Sequence, residues 1–194
     1  MNEDASSSGE FREFYHEAFP ILFRVACRIT RSEEAAEDLC QEAFFRLYEK
    51  GMVFPRREEA KFWLIRVVKN AALNYAKRKE RERRAYQRAF RELKQEQEGG
   101  ERDLINQETR MEVQDALDKL PDNLRMVLIL KEYGELNYHD IGQALGISEG
   151  NVKVRVFRAR ERLAALMKAS GALGETSGRR APDGAGLPAG NKDG

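Results

Sequence analysis

Only two cysteines, Cys27 and Cys40, occur in the 194 residues, and neither sits in a CxxC or Cys/His cluster with metal-ligand spacing. No zinc module is expected, and the thiols read as buried apolar groups, with a redox pair as the alternative. Histidine is equally scarce. His16 and His139 are the two present, each in a helical segment without a neighbouring cysteine, serine or carboxylate pattern. His139 beside Asp140 reads as an exposed helix-start residue rather than half of a catalytic triad. There is no glycine-rich phosphate loop either, because LGISEG follows a helix and lacks the required lysine. These gaps predict a protein that is not an enzyme and holds no metal or cofactor. No apolar run approaches the length a bilayer needs, and the start, MNEDASSSGE, lacks the apolar core of a secretory signal. A cytoplasmic location follows as the expectation.

A strong net charge is also missing: 34 Lys and Arg oppose 33 Asp and Glu, leaving +1. The distribution is uneven, however. From Lys61 to Lys94 there are twelve basic residues and three acidic, a balance of +9. From Gln95 to Asp122 the counts are three and nine, a balance of −6, and from Gly150 to Lys168 they are six and one, a balance of +5. Two basic blocks around an acidic one predict two nucleic-acid contacts with a divider between them.

The stretch from Asn137 to Arg162, NYHDIGQALGISEGNVKVRVFRARER, reads as two short helices joined at Gly146. Asn137 can cap the first helix, and Ser148 can cap the second with Glu149 in its first turn. Ile141, Ala144, Leu145, Ile147, Val152, Val156 and Leu163 supply the buried side. The second helix carries Lys153, Arg155, Arg158, Arg160 and Arg162. A short helix, a glycine turn and a basic second helix make a helix-turn-helix, whose second helix fits the DNA major groove.

Upstream, the first nine residues read as disordered. Phe11 to Ile29 has a helical period with Pro20 inside it, which predicts a kink or a break there. Ser32 then caps a helix, EEAAEDLCQEAFFRLYEK, that stops at Gly51. Its apolar face is Ala36, Leu39, Cys40, Ala43, Phe44 and Leu47, and its other face carries Asp38, Gln41, Glu42, Phe45 and Arg46. Phe45 among charges suggests either a partner surface or packing on a neighbouring helix. A long third helix starts near Glu58, with an apolar stripe of Trp63, Leu64, Val67, Val68, Ala71, Ala72 and Tyr75. Arg66, Lys69, Asn70, Asn74 and Lys77 share its opposite face. Such a face is either a solvated one laced with ion pairs or a surface for single-stranded DNA. Further on, Leu104 to Leu120 and Pro121 to Tyr133 read as two more helices ahead of the helix-turn-helix.

Two blocks together, AEDLCQEAFFRLYEK with FWLIRVVKNAALNYAKRK and ALDKLPDNLRMVLILKEYGELNYHDIGQALGISEGNVKVRVFRARERL, resemble the sigma-70 family of bacterial initiation factors. The likeness is to its small extracytoplasmic-function group. It implies an all-α fold of two small helical domains, a region 2 bundle and a region 4 helix-turn-helix, joined by a flexible linker. The expected divisions are a disordered start at 1–9, region 2 at 10–92, a charged linker at 93–104, region 4 at 105–169 and a disordered tail at 170–194.

The resemblance also implies roles. Core RNA polymerase would bind Asp38, Gln41, Glu42, Phe45 and Arg46. The opened −10 strand would lie along Trp63, Arg66, Lys69, Asn70, Asn74 and Lys77, with Asn70 near the pocket for an extruded base. The −35 duplex would be read by Lys153, Val154 and Phe157, with Asn151, Arg155 and Arg158 on phosphates. Binding energy for unstacked bases would offset their unpairing, so melting needs no ATP. An anti-sigma factor is the further partner implied.

Two positions depart from the family pattern. Val154 stands where a small hydroxyl residue is common, and Ala60 stands where an aromatic often precedes Trp63 by three positions. The acidic linker would run toward the polymerase active-site and RNA-exit channels, where Glu96, Glu98 and Glu101 would mimic nucleic-acid charge. The rival reading is a helix-turn-helix regulator that never touches polymerase.

Overall fold

The computed structural model describes residues 3–91 and 112–170, and every regular element among them is helical. The expected linker at 93–104, with Glu96, Glu98 and Glu101, and the tail beyond Ser170 lie outside the described residues. Helix α1 spans Glu3–Thr30, α2 spans Glu33–Glu49 and α3 spans Arg57–Arg91. Residues 112–118 are helical, and α4 (Asp122–Glu132), α5 (Tyr138–Leu145) and α6 (Glu149–Ala169) follow.

The first three helices pack on one another. Leu22, Val25, Ala36, Cys40, Phe44, Leu64, Ile65 and Val68 are all buried between them. Tyr15 and Phe19 lie one helical turn apart on α1 and bring their rings against Phe44, with centroids 4.7 and 6.4 Å away. α1 does not break at Pro20. Ala18 and Leu22, both in the core, anchor the helix on either side of the lost hydrogen bond. α1 also starts earlier than expected: residues 3–9, read as disordered, continue the helix.

The caps in the second half are the expected ones. Asn137 Oδ1 accepts from the Asp140 backbone N–H at 2.8 Å, and Ser148 Oγ accepts from that of Asn151 at 3.3 Å. Gly146 sits between the two helices at φ +68°, the left-handed conformation a helix C-terminus favours. In α4, by contrast, Met126, Val127, Leu128, Ile129 and Leu130 are all buried. Five consecutive residues more than encircle a helix, so α4 is covered on several sides. Leu128 faces Leu117, Leu120 and Ala159, while the other four join the apolar cluster that includes α1 and α3.

The two halves therefore share a seam. Arg24 Nε donates to the Tyr133 carbonyl at 2.9 Å, and the Arg28 guanidinium lies 4.6 Å from the centre of the Tyr133 ring. Burial pushes the Arg28 guanidinium below its usual range. Arg31 pairs with Asp118 and, at 3.6 Å, with Asp115. The sequence led us to expect two domains on a flexible tether, and it carried no signal for this packing.

Candidate nucleic-acid and polymerase interface

Three exposed faces hold the residues singled out from the sequence. The first is on α2. Asp38, Gln41, Glu42, Phe45 and Arg46 are all exposed, whereas Ala43, Phe44 and Leu47 between them are buried. Phe45 is 62 % exposed, which decides against its packing on a neighbouring helix among the described residues. Arg46 pairs with Glu42 and Gln41 donates to Glu37 at 3.0 Å, so the polar groups around the ring are held by i,i+4 partners.

The second face runs along α3. Arg66, Asn70 and Asn74 recur at every fourth residue and, with Lys77, are exposed. Lys69 is half-buried, and desolvation followed by the nearby Arg66 charge lowers its pKa. Trp63 is half-buried against the core, with the Phe54 ring 6.1 Å away. Ala60 is buried, so an aromatic side chain would have no room there. Phe54, from the preceding loop, supplies the ring beside Trp63 instead. Val53 next to it is 92 % exposed. The sequence reading passed over both. Their signal was an apolar pair, Val53 and Phe54, in a loop with no periodicity to bury it.

Not every member of this face is free. Arg66 Nη2 donates to the Gln143 carbonyl at 3.1 Å and Nε donates to that of Ala144 at 3.3 Å. Lys77 Nζ lies 3.8 Å from Asp122 Oδ2.

The third face belongs to α6. Val152, Val156 and Ala159 are buried, and the residues between them point away from the core. Lys153, Val154, Phe157 and Arg158 are exposed, with Val154 and Phe157 among the large apolar side chains left at the surface. Lys153 Nζ is 2.8 Å from Glu149 Oε1, and that contact holds the carboxyl below its usual range and the ammonium above its own. Arg155 Nε donates to Asn151 Oδ1 at 2.9 Å. The arrangement offers a lysine donor and two apolar contacts in the centre, with guanidinium groups beside them.

The cysteines belong to none of these faces. Cys40 is fully buried, and desolvation pushes its thiol up to about 12. Cys27 is half-buried and its thiol is also raised, first by desolvation. A maleimide at pH 8 should therefore modify Cys27 before Cys40, and Cys40 only once denaturant opens the bundle. Mass spectrometry of labelled peptides checks the order.

Comparison with known proteins covers both halves. Residues 14–82 match the family described as Sigma-70 region 2, and residues 110–163 match the one described as Sigma-70, region 4. The chain is 31% identical over 158 residues to the ECF RNA polymerase sigma factor SigM of Bacillus subtilis (strain 168), covering 79% of this chain and 93% of that one. It is 30% identical over 155 residues to the ECF RNA polymerase sigma factor EcfG of Rhodopseudomonas palustris (strain TIE-1), covering 80% and 83% respectively. The fold is shared with CnrH, solved in complex with the cytosolic domain of CnrY, at a TM-score of 0.58 and 20% identity over 82% of this chain and 88% of that one. A match to region 2 leaves no place for a regulator built on a separate sensor domain. The chain belongs to the sigma-70 family, among its extracytoplasmic-function (ECF) RNA polymerase sigma factors.

Proposed function

We propose a division of labour among the three faces by which this sigma factor binds core RNA polymerase, finds a promoter and opens it. α2 docks on polymerase through Phe45, with Asp38, Gln41, Glu42 and Arg46 around it. α3 receives the opened −10 strand along Trp63, Arg66, Lys69, Asn70, Asn74 and Lys77. α6 enters the −35 major groove, where Lys153, Val154 and Phe157 meet base edges and Asn151, Arg155 and Arg158 meet phosphates. The observation that carries this reading is the exposed stripe on α6. A lysine and two bare apolar side chains stand on a capped helix whose opposite side is sealed in the core.

The chemistry is binding throughout. Unpairing a base costs a few kcal/mol per step, and stacking and phosphate contacts to the freed strand return energy of that order. No group in the proposed sites needs to make or break a covalent bond. The work belongs in the cytoplasm, where polymerase and promoters are. Arg-rich and apolar surfaces left open in this way also suit an anti-sigma factor as a regulatory partner.

Run-off transcription with bacterial core polymerase and a pool of randomised promoters tests the assignment. Transcripts that depend on this chain deliver both promoter elements at once. Lys153→Ala should then relax the preference at one −35 base pair by roughly 1–3 kcal/mol, about 5- to 150-fold. Arg158→Ala should instead weaken all promoters alike and reduce the salt slope by about one. Unchanged base preference in Lys153→Ala would remove that residue from the reading set.

A further inference from the structure

We infer that Glu149 is a further base reader of the −35 element, and that its ion pair with Lys153 recognises one G·C base pair as a unit. The inference deepens the proposed role of α6 and rests on it. Glu149 stands in the first turn of α6, directly after the Ser148 cap, and Lys153 and Phe157 follow it at every fourth residue. Residues so spaced share one side of a helix, and all three are exposed. The N-terminal residues of a recognition helix are the ones that reach base edges. Glu149 therefore enters the groove beside Lys153, with its Oε1 2.8 Å from the lysine Nζ.

The pair has the wrong charge for phosphates and the right pattern for a base pair. Arg155 is held by the neutral Asn151 amide oxygen and keeps its whole charge for the DNA backbone. Lys153 is offset by a full negative charge, so the pair gains little from the polyanion and its carboxylate is repelled by it. In the major groove a G·C pair shows two acceptors, guanine N7 and O6, and then one donor, cytosine N4. An ammonium has three donors; Glu149 takes one and leaves two for guanine. The hydrogen bond to Lys153 holds the Glu149 carboxyl below its usual range, so the group is ionised and can only accept. It takes the N4 hydrogen that faces the groove. Guanine O6 and cytosine N4 are themselves hydrogen-bonded neighbours, so a donor and an acceptor 2.8 Å apart match their separation. At an A·T pair the same carboxylate meets the thymine O4 or methyl group and is left without a donor, which costs binding energy. Glu149 thus selects both for G·C and against its replacement.

The test uses the full-length chain in holoenzyme on a promoter recovered from the randomised pool, altered at the G·C pair where Lys153→Ala acts. N4-methylcytosine replaces the groove-facing N4 hydrogen with a methyl group and keeps the paired one. 7-Deazaguanine removes the N7 acceptor. Each analogue should weaken promoter binding by the parent about fivefold or more, the lower bound for a good base contact. Glu149→Ala should lose the N4-methylcytosine penalty and keep that of 7-deazaguanine, and Lys153→Ala should lose the 7-deazaguanine penalty. Glu149→Gln keeps an acceptor without the charge, so it should retain the N4-methylcytosine penalty. Glu149→Ala should also bind unrelated duplex more tightly, with a salt slope steeper by about one, because Lys153 is then free for a phosphate. A helix start merely weakened by the substitution would lose both kinds of binding. If Glu149→Ala keeps the parent's N4-methylcytosine penalty, or if Lys153 acts at an A·T pair, the role of Glu149 fails and the reading by Lys153 stands. If Lys153→Ala leaves every −35 preference unchanged, the reading by Lys153 fails and the role of Glu149 with it.

Discussion

Phe45→Ala should weaken binding to core RNA polymerase about 30-fold or more and move the melting temperature by no more than about 1–2 °C. An aromatic anchor at the centre of an interface is worth about 2 kcal/mol or more when truncated, and about 1.4 kcal/mol is a factor of ten in affinity. In the free chain Phe45 is 62 % exposed, so its removal leaves no cavity. A surface change of that kind stays within about 0.5 kcal/mol of the parent. Its neighbour is the control. Phe44 is 3 % exposed and its ring meets those of Phe11, Phe14, Tyr15 and Phe19. Phe44→Ala should cost roughly 3–5 kcal/mol of stability. Two adjacent phenylalanines, about 100° apart around one helix, therefore divide into a ring that holds the fold and a ring that faces a partner. Titration of labelled core polymerase with each variant, beside a thermal melt, checks both halves. Parent-like binding by Phe45→Ala would move the docking face off α2.

What the sequence made legible was local. Asn137, Gly146 and Ser148 act within four residues of themselves, and each caps or turns the chain as their spacing implies. The start of α2 at Ser32 and its end at the left-handed Gly51 follow from equally short-range chemistry. Burial on α3 was legible in part. Leu64, Val68 and Ala72 fall on the expected stripe, but Phe62 and Ile65 are buried as well. One amphipathic stripe describes a helix with one neighbour, and α3 has α1, α2 and α5 against it. The exposed sets on α2 and α6 were readable because each is the complement of a buried periodic face. Arg66 was not readable in the same way. Its partners lie 77 and 78 positions along the chain, and no period within a helix records an acceptor brought there by a second domain.

Three glycines of the helix-turn-helix should separate in sign and size, because the backbone asks something different of each. Gly142 lies inside α5, where a Cβ would stand 2.7 Å from the Ile147 carbonyl oxygen. That oxygen belongs to the turn itself, and Ile147 in turn donates its N–H to the Gly142 carbonyl at 3.0 Å. The backbone cannot yield without pulling the two helices apart. Gly142→Val should therefore cost about 3 kcal/mol, the upper part of the overpacking range, and lower the melting temperature by roughly 6–12 °C in a chain of this size. Binding to −35 duplex DNA should fall with it, since the angle between α5 and α6 sets how α6 enters the groove. Gly146 has open space around it but a φ of +68°. Gly146→Ala should cost only about 1–2 kcal/mol, the strain of a left-handed L-residue. Gly150 has open space and ordinary helical backbone in α6, so Gly150→Ala should leave the DNA-free chain unchanged or raise its stability by up to about 1 kcal/mol. The expected order of melting temperatures is Gly150→Ala at or above the parent, then Gly146→Ala, then Gly142→Val. If Gly142→Val melted above Gly146→Ala, backbone conformation rather than the close approach of α5 to the turn would be what fixes this motif.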